Sequence, residues 1–286
     1  MLVAPLCRHA GASVKGTVFY KMTGSGNDFF MLDGRHTAVP EWPADRISQV
    51  CDRRMGAGAD GLVILTPDDS GRIRFDFYNS DGSRGAMCGN AALCSTRLAA
   101  HLEMAPPEGM TLCTDAGLVR TRCTGPGHMA EINLPAFDLP RVVDIPAAAG
   151  ESGLYLATVG VPHLVVLTED VMTVDVVGRG RELRFHPALG APGANVNFIS
   201  PAKGNGSEPW MIRTYERGVE GETLACGTGT VAAAYTLDVL GQRRLPGEWQ
   251  TSKGIRLGVS GSCAGGKAVD PWLLGEGRLV YVGIIR

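Results

Sequence analysis

The sequence predicts an α+β protein of two related halves, with mixed or antiparallel sheets wrapped on central helices. Three observations point there. Strand-length apolar runs outnumber helical ones, in a chain where 39 of 286 residues are glycine. A unit of strand, polar turn, Cys-Gly and helix occurs twice, which favours two domains over one at this length. Between Leu134 and Gly153 the chain turns rich in Pro and Ala, as a linker would.

Taken in order, strands are expected at Val18 to Lys21, Phe29 to Leu32, Leu62 to Leu65, Ile73 to Tyr78 and Met129 to Leu134. Beyond the linker they recur at Tyr155 to Val159, Leu164 to Leu167, Asn197 to Ile199, Trp210 to Tyr215 and Leu279 to Ile285. Each is an apolar or aromatic run bounded by Gly, Pro or Asp. Helices are expected at Ala44 to Asp52, Ala91 to Leu102 and Val231 to Leu240, with another after Glu169. The halves are residues 1–134 and 135–274, with the last strand, within 275–286, returning to the first half.

The duplicated unit is the most informative feature. One copy runs Phe75-Asp76-Phe77-Tyr78-Asn79 to Met87-Cys88-Gly89-Asn90, the other Ile212-Arg213-Thr214-Tyr215-Glu216 to Ala225-Cys226-Gly227-Thr228. Tyr precedes Cys by ten residues in one and eleven in the other. Each Cys-Gly opens a helix, where free N–H groups and the dipole stabilise a thiolate or hold a substrate carboxylate. A single cysteine is usually a small buried apolar residue, and Cys7, Cys51, Cys113, Cys123 and Cys263 take that reading. Cys94 follows Cys88 by six residues on the same helix and so points about 120° away, as packing. A nucleophilic cysteine enzyme needs one Cys beside a His; here two cysteines recur and no His recurs with them.

Composition excludes several classes. Lys and Arg total 27 against 29 Asp and Glu, with no basic stripe for nucleic acid. No apolar run nears the roughly 20 residues of a membrane span. Residues 1–16 lack the apolar core and cleavage site of a signal peptide and read as a loose extension. No Cys-x-x-Cys occurs among the eight cysteines, so no metal is expected, and reduced thiols in the cytoplasm are the default.

Two further motifs need weighing. Gly56-Ala57-Gly58-Ala59-Asp60-Gly61 fits a dinucleotide fingerprint in letters only, because a helix precedes it and a strand follows. Gly24 to Phe29 and Gly193 to Phe198 echo each other faintly, which makes Asn27 and Asn195 candidate binding amides rather than simple turn closers. Asn79 and Glu216 hold equivalent places in the repeat, and Arg217 beside Glu216 suits bidentate capture of a carboxylate.

At these residues the sequence resembles diaminopimelate epimerase. The matching pieces are Lys21 to Phe29, Asp52-Arg53-Arg54 through Gly61, Asn79 to Gly82, Met87 to Asn90, Asn195 to Phe198, and Tyr215-Glu216-Arg217-Gly218 through Gly229. The resemblance implies two pseudo-symmetric halves, each a curled sheet around a central helix, with the active site in the cleft between them. It implies that Cys88 and Cys226 are the acid/base pair, without a cofactor. Asn27, Gly89, Asn90, Gly227 and Thr228 would hold the reacting end of the amino acid; Asn79, Asn195, Glu216 and Arg217 would hold the distal end. A homodimer is expected. Three departures stand out: Val161 before Pro162-His163, where the family usually has Asn; Ala91 and Leu93, where it usually has Gly and Arg; and the extension before Val18.

The chemistry expected is inversion of one α-carbon by two bases. One thiolate takes the α-proton from one face while the opposite thiol delivers a proton to the other. The substrate that the resemblance implies is LL-diaminopimelate, giving the meso form used for lysine and cell wall. The alternatives are a racemase of the same fold for another amino acid, such as histidine, and a binding module without catalysis.

Overall fold

The structure is a computed structural model that describes residues 16–125, 127–202 and 209–286. Cys7 and the extension up to Lys15 lie outside the described residues.

Two copies of one topology build the molecule. In the first, Thr17–Gly24 pairs antiparallel with Asn27–Asp33, and helix α1 (Ala44–Cys51) crosses over to Gly61–Pro67, parallel to Asn27–Asp33. Ile73–Asn79 follows antiparallel, then helix α2 (Gly89–His101), then Met110–Thr114 parallel to Ile73–Asn79, then Gly117–Cys123 and Met129–Asn133. In the second copy, Glu151–Val159 and Val161–Thr168 form the hairpin, and helix α3 (Val176–Arg184) crosses to the parallel strand Asn195–Pro201. Trp210–Glu216 then runs antiparallel, and helix α4 (Gly227–Val239) leads to Gly247–Thr251, parallel to it. Arg256–Ala264 and Lys267–Glu276 complete the copy. All four parallel pairs need a crossover, which is why a helix sits at each of those joints.

The copies are tied by strands. Lys267–Glu276 pairs with Met129–Asn133, and the last strand, Arg278–Ile285, pairs along Thr17–Gly24, so one sheet runs through the molecule. The expected linker is partly ordered into that sheet: Phe137–Asp138 pairs with Lys267 and Ala268, and Arg141–Val142 with Tyr155 and Leu156.

Both central helices are buried nearly all round, from Asn90 to Thr96 in α2 and from Gly229 to Leu237 in α4. A helix without a polar face belongs in a core rather than on a surface. Their hydroxyls cause no burial penalty, because Ser95, Thr96, Thr230 and Thr236 each donate to the carbonyl four residues back, at 2.7–2.9 Å. One apolar core encloses α2 and α4 together. Two smaller cores lie on the outer sheet faces, under α1 (Phe30, Leu32, Trp42, Ile47) and under α3 (Val166, Leu183, Phe198, Tyr215). This explains the unbroken run Phe29 to Leu32. Phe29 and Met31 face α2 while Phe30 and Leu32 face α1, so neither side of the strand meets water.

Two expectations change. Asn27 opens the second strand of its half, whereas Asn195 opens the third. The faint Gly-Asn echo is therefore not a topological one, and the true counterpart of Asn27 is Val161. Cys263, in the strand Arg256–Ala264, is exposed rather than packed, and its thiol donates to Asp238 at 3.2 Å.

Candidate active site

Cys88 and Cys226 occupy the N-cap positions of α2 and α4, each in extended backbone, with Gly as the first helical residue. The carbonyls of Cys88 and Cys226 accept from Ala92 and Thr230 at 2.9 Å, so the two helices start in the same way. The N–H groups of Asn90 and Ala91 face the Cys88 sulfur, and that of Gly229 faces the Cys226 sulfur. Thr228 Oγ1 stands 3.8 Å from Cys226 Sγ. Glycine at 229 leaves the room this requires: a Cβ there would lie 2.1 Å from Asn197 Oδ1 and 3.2 Å from Cys226 Sγ.

Burial pushes both thiols up, Cys226 to about 12, against the pull of those N–H groups. The Glu216 carboxylate adds to the rise at both sulfurs, which places it within electrostatic reach of the two halves' thiols at once. Glu216 ends the strand Trp210–Glu216, and burial raises its own carboxyl. The two halves also touch through the turn after Thr17–Gly24. Gly26 has φ +103°, and a Cβ on it would lie 2.8 Å from Leu224 Cβ, two residues before Cys226.

In the first half the amides form a chain. Asn90 Nδ2 donates to Asn27 Oδ1 at 2.8 Å, and Asn27 Nδ2 donates to Asp60 Oδ2 at 2.9 Å. Asp60 in turn takes Arg53 at 2.6 Å, and Arg53 also grips both Asp28 oxygens. Lys21 closes the cluster on Asp28 at 2.7 Å. Burial opposes the Asp28 charge, but Arg53 and Lys21 outweigh it and hold the carboxyl at about 2. The glycines of the rejected fingerprint serve this cluster and α1. Ala57 and Gly58 N–H groups donate to Val50 O, capping the helix, and Gly58 O accepts from Lys21 Nζ.

In the second half Asn195 Oδ1 accepts from the Arg217 backbone N–H at 2.7 Å. Among the described residues no carboxylate pairs with the Arg217 guanidinium. Beneath it lies His163, fully buried, with Nδ1 3.3 Å from Asn197 Nδ2 and Nε2 without a partner among the described residues. Burial and the Arg217 charge lower His163 to about 3, so it is a neutral ring. Asn79 pairs with Gly61, the residue after Asp60. It ends the strand Ile73–Asn79 as an exposed residue, its Nδ2 held by Ser83 Oγ at 2.9 Å.

Asp60, His163, Asn197 and Gly229 are the residues that sequence reasoning passed over. Asp60 was visible only as the acidic residue of a glycine run. Asn197 was visible as the second Asn of Asn-Val-Asn, and His163 as a lone His after Val161-Pro162.

The fold defines a class first. The chain aligns over 94% of its length, with a TM-score of 0.62 and 18% identity, to 93% of a probable proline racemase from Agrobacterium radiobacter. It aligns over 95%, with a TM-score of 0.69 and 12% identity, to 99% of a PhzF-family phenazine biosynthesis protein from Bacillus anthracis. These likenesses establish the shared two-half α+β fold. Within that class, a sequence model described as diaminopimelate epimerase matches residues 19–134 and 155–257. A diaminopimelate epimerase of Gemmatimonas aurantiaca is 42% identical over 93% of this chain and 98% of its own length. One of Archaeoglobus fulgidus is 37% identical over 78% of this chain and 82% of its own. The chain belongs to the diaminopimelate epimerase family.

Proposed function

We propose that this protein inverts one α-carbon of LL-diaminopimelate to give the meso form, with Cys88 and Cys226 as acid and base on opposite faces of that carbon. The observation that carries the reading is the pair of thiols at the N-caps of α2 and α4, equivalent in the two halves and both within electrostatic reach of Glu216.

Each thiol is neutral before substrate binds. Reaction needs one of them as a thiolate: its proton passes to solvent as the substrate enters, and the substrate's own α-ammonium favours the charged sulfur. The thiolate removes the α-proton and the opposite thiol donates its proton to the other face. Afterwards the two sulfurs have exchanged protonation states. The developing carbanion spreads charge onto the substrate carboxylate, which the N–H groups at the starts of α2 and α4, Gly89–Asn90 and Gly227–Thr228, are placed to stabilise. Asn27 and Asn90 hold the reacting amine, and Asn79, Asn195, Glu216 and Arg217 take the distal end. The Arg217 guanidinium, which no carboxylate among the described residues pairs with, suits the second carboxylate of a diamino diacid.

The same reading divides the chain into 1–134 with 275–286 and 135–274. It also includes a homodimer, supported by Val18 and Ile284, which are exposed and paired with each other on the Thr17–Gly24/Arg278–Ile285 strand pair. A cytoplasmic home fits the seven cysteines that are free among the described residues. No described helix is long and apolar enough to cross a membrane.

Turnover of LL-diaminopimelate in deuterium oxide tests the chemistry. Deuterium enters the inverted carbon in wild type, and Cys88→Ala and Cys226→Ala each abolish inversion. Either variant turning over at the native rate would refute the two-base assignment. Sedimentation as a monomer at micromolar concentration would remove the dimer.

A further inference from the structure

We propose that Asp60 is a positioning residue that fixes which atoms the Asn27–Asn90 amide pair presents to the substrate. The inference rests on the α-carbon inversion above, since it assigns the reacting amine to this pair.

An asparagine amide has an oxygen and a nitrogen of nearly equal shape, and only its hydrogen bonds decide which way it faces. A pair of asparagines bonded to each other is ambiguous twice over. Reversing both leaves the bond between them intact and inverts what each offers its surroundings. Asp60 removes the ambiguity. It is ion-paired with Arg53 at 2.6 Å, so its oxygens can only accept, and Oδ2 receives both Asn27 Nδ2 at 2.9 Å and the Asp28 N–H at 3.2 Å. Asn27 must then turn Oδ1 the other way, where it accepts from Asn90 Nδ2 at 2.8 Å. Asn90 in turn must keep Oδ1 as its outward group. No hydrogen bond among the described residues engages that atom, and Asn90 is the second residue of α2, beside Cys88. The outward group is thus an acceptor, the polarity an α-ammonium needs. The reversed pair would offer it an NH2 and repel it.

The cluster behind Asp60 is built to hold this polarity. Arg53 binds Asp60 and Asp28 together, Lys21 anchors Asp28, and the Asp60 N–H returns to Asp28 O at 2.8 Å. Asp60 therefore has no freedom to rotate away and release Asn27.

The experiment compares two ligands that differ only in the reacting amine. LL-diaminopimelate carries it; L-2-aminopimelate keeps the distal amino acid end and lacks it. In Asp60→Asn the KM for LL-diaminopimelate is expected to rise roughly tenfold or more with a smaller change in kcat. The inhibition constant of L-2-aminopimelate stays within about twofold. Asn27→Ser cuts the chain in its middle, leaves the Arg53–Asp60 pair intact and is expected to show the same selective loss. It decides the matter alone if Asp60→Asn fails to fold, which a melting curve reports. Equal weakening of both ligands, or of neither, overturns the assignment and leaves the reaction standing wherever wild type still turns over. A wild type that does not act on LL-diaminopimelate removes the reaction and this inference together.

Discussion

Acidification from pH 7 to pH 4 is expected to destabilise the protein through His163 in particular. The ring is fully buried, and burial together with the Arg217 charge holds its folded pKa at about 3, against 6.5 unperturbed. A base whose folded pKa is depressed contributes stability that is fully present above the unfolded pKa and is lost as pH falls toward the folded one. The window is therefore pH 6.5 down to pH 3. At pH 4 the unfolded chain holds the proton and the folded chain still refuses it. About 2.5 units of that gap then count, or about 3 kcal/mol at 1.36 kcal/mol per unit. In a chain of this size that lowers the melting temperature by roughly 6 °C.

Other groups act in or near the same window. Asp28, held at about 2, loses its contribution only below its unfolded value of 3.8. Glu216, whose carboxyl is raised, acts with the opposite sign and gains stability as pH falls. Both remain in a His163→Gln variant. The quantity to measure is therefore the difference in urea-unfolding free energy between pH 7 and pH 4, wild type minus variant. A difference near 3 kcal/mol supports the buried neutral ring. Equal pH dependence in the two proteins would refute it, whatever the variant's stability at pH 7.

Three further outcomes follow from the site. Gly229→Ala drives a methyl into Asn197 Oδ1 and against the Cys226 sulfur, so kcat is expected to fall by at least tenfold; an unchanged kcat means the α4 start is looser than it is drawn. Cys226, at about 12 folded and 9.0 unperturbed, contributes stability that is complete below pH 9 and lost as pH rises to 12. At pH 10.5 this amounts to about 2 kcal/mol that a Cys226→Ser variant, unfolded in urea under reductant, should not lose. Val161→Asn restores an amide at the counterpart of Asn27, two residues from His163 on the same strand face, and should lower the KM for diaminopimelate with little change in kcat; a KM that rises removes Val161 from the distal pocket.

What could be read from the chain was what local pattern encodes. The apolar-aromatic runs became strands, and both Cys-Gly pairs became helix starts at the central helices. After the central helices, Met129–Asn133 and Arg278–Ile285 were legible, but other strands escaped notice because their residues do not look like strand residues. Gly117–Cys123 carries two arginines, Arg256–Ala264 carries two internal glycines, and Lys267–Glu276 carries Asp270 and Pro271. Their pairing partners, such as Met129–Asn133 for Lys267–Glu276, are remote in sequence, so tertiary contact decides them. The site divides in the same way. The thiols were legible because they recur with their local context. Asp60 and His163 were not, because their meaning lies in hydrogen bonds and burial across 33 and 34 residues of chain.

The repeat explains why the symmetry is partial. Inversion of a carbon needs like groups on both faces, because the base of the forward reaction is the acid of the reverse. Duplication of strand, turn and Cys-Gly helix supplies that directly. The substrate itself is not symmetric about the reacting carbon: one side carries the amine and carboxylate, the other the chain to the distal end. The amide positions follow the substrate rather than the repeat. Asn27 and Asn90 form a chain anchored on the Asp60–Arg53 ion pair, whereas the second half has Val161 at the counterpart of Asn27 and sets Asn195 against the backbone of Arg217. Glu216 belongs to one copy only, since Asn79 takes its place in the other, yet its charge reaches both sulfurs. Carboxylate charge at both sulfurs, from Glu216 at each and from Asp60 at Cys88 as well, disfavours the state in which both are ionised, and a two-base exchange needs one of each.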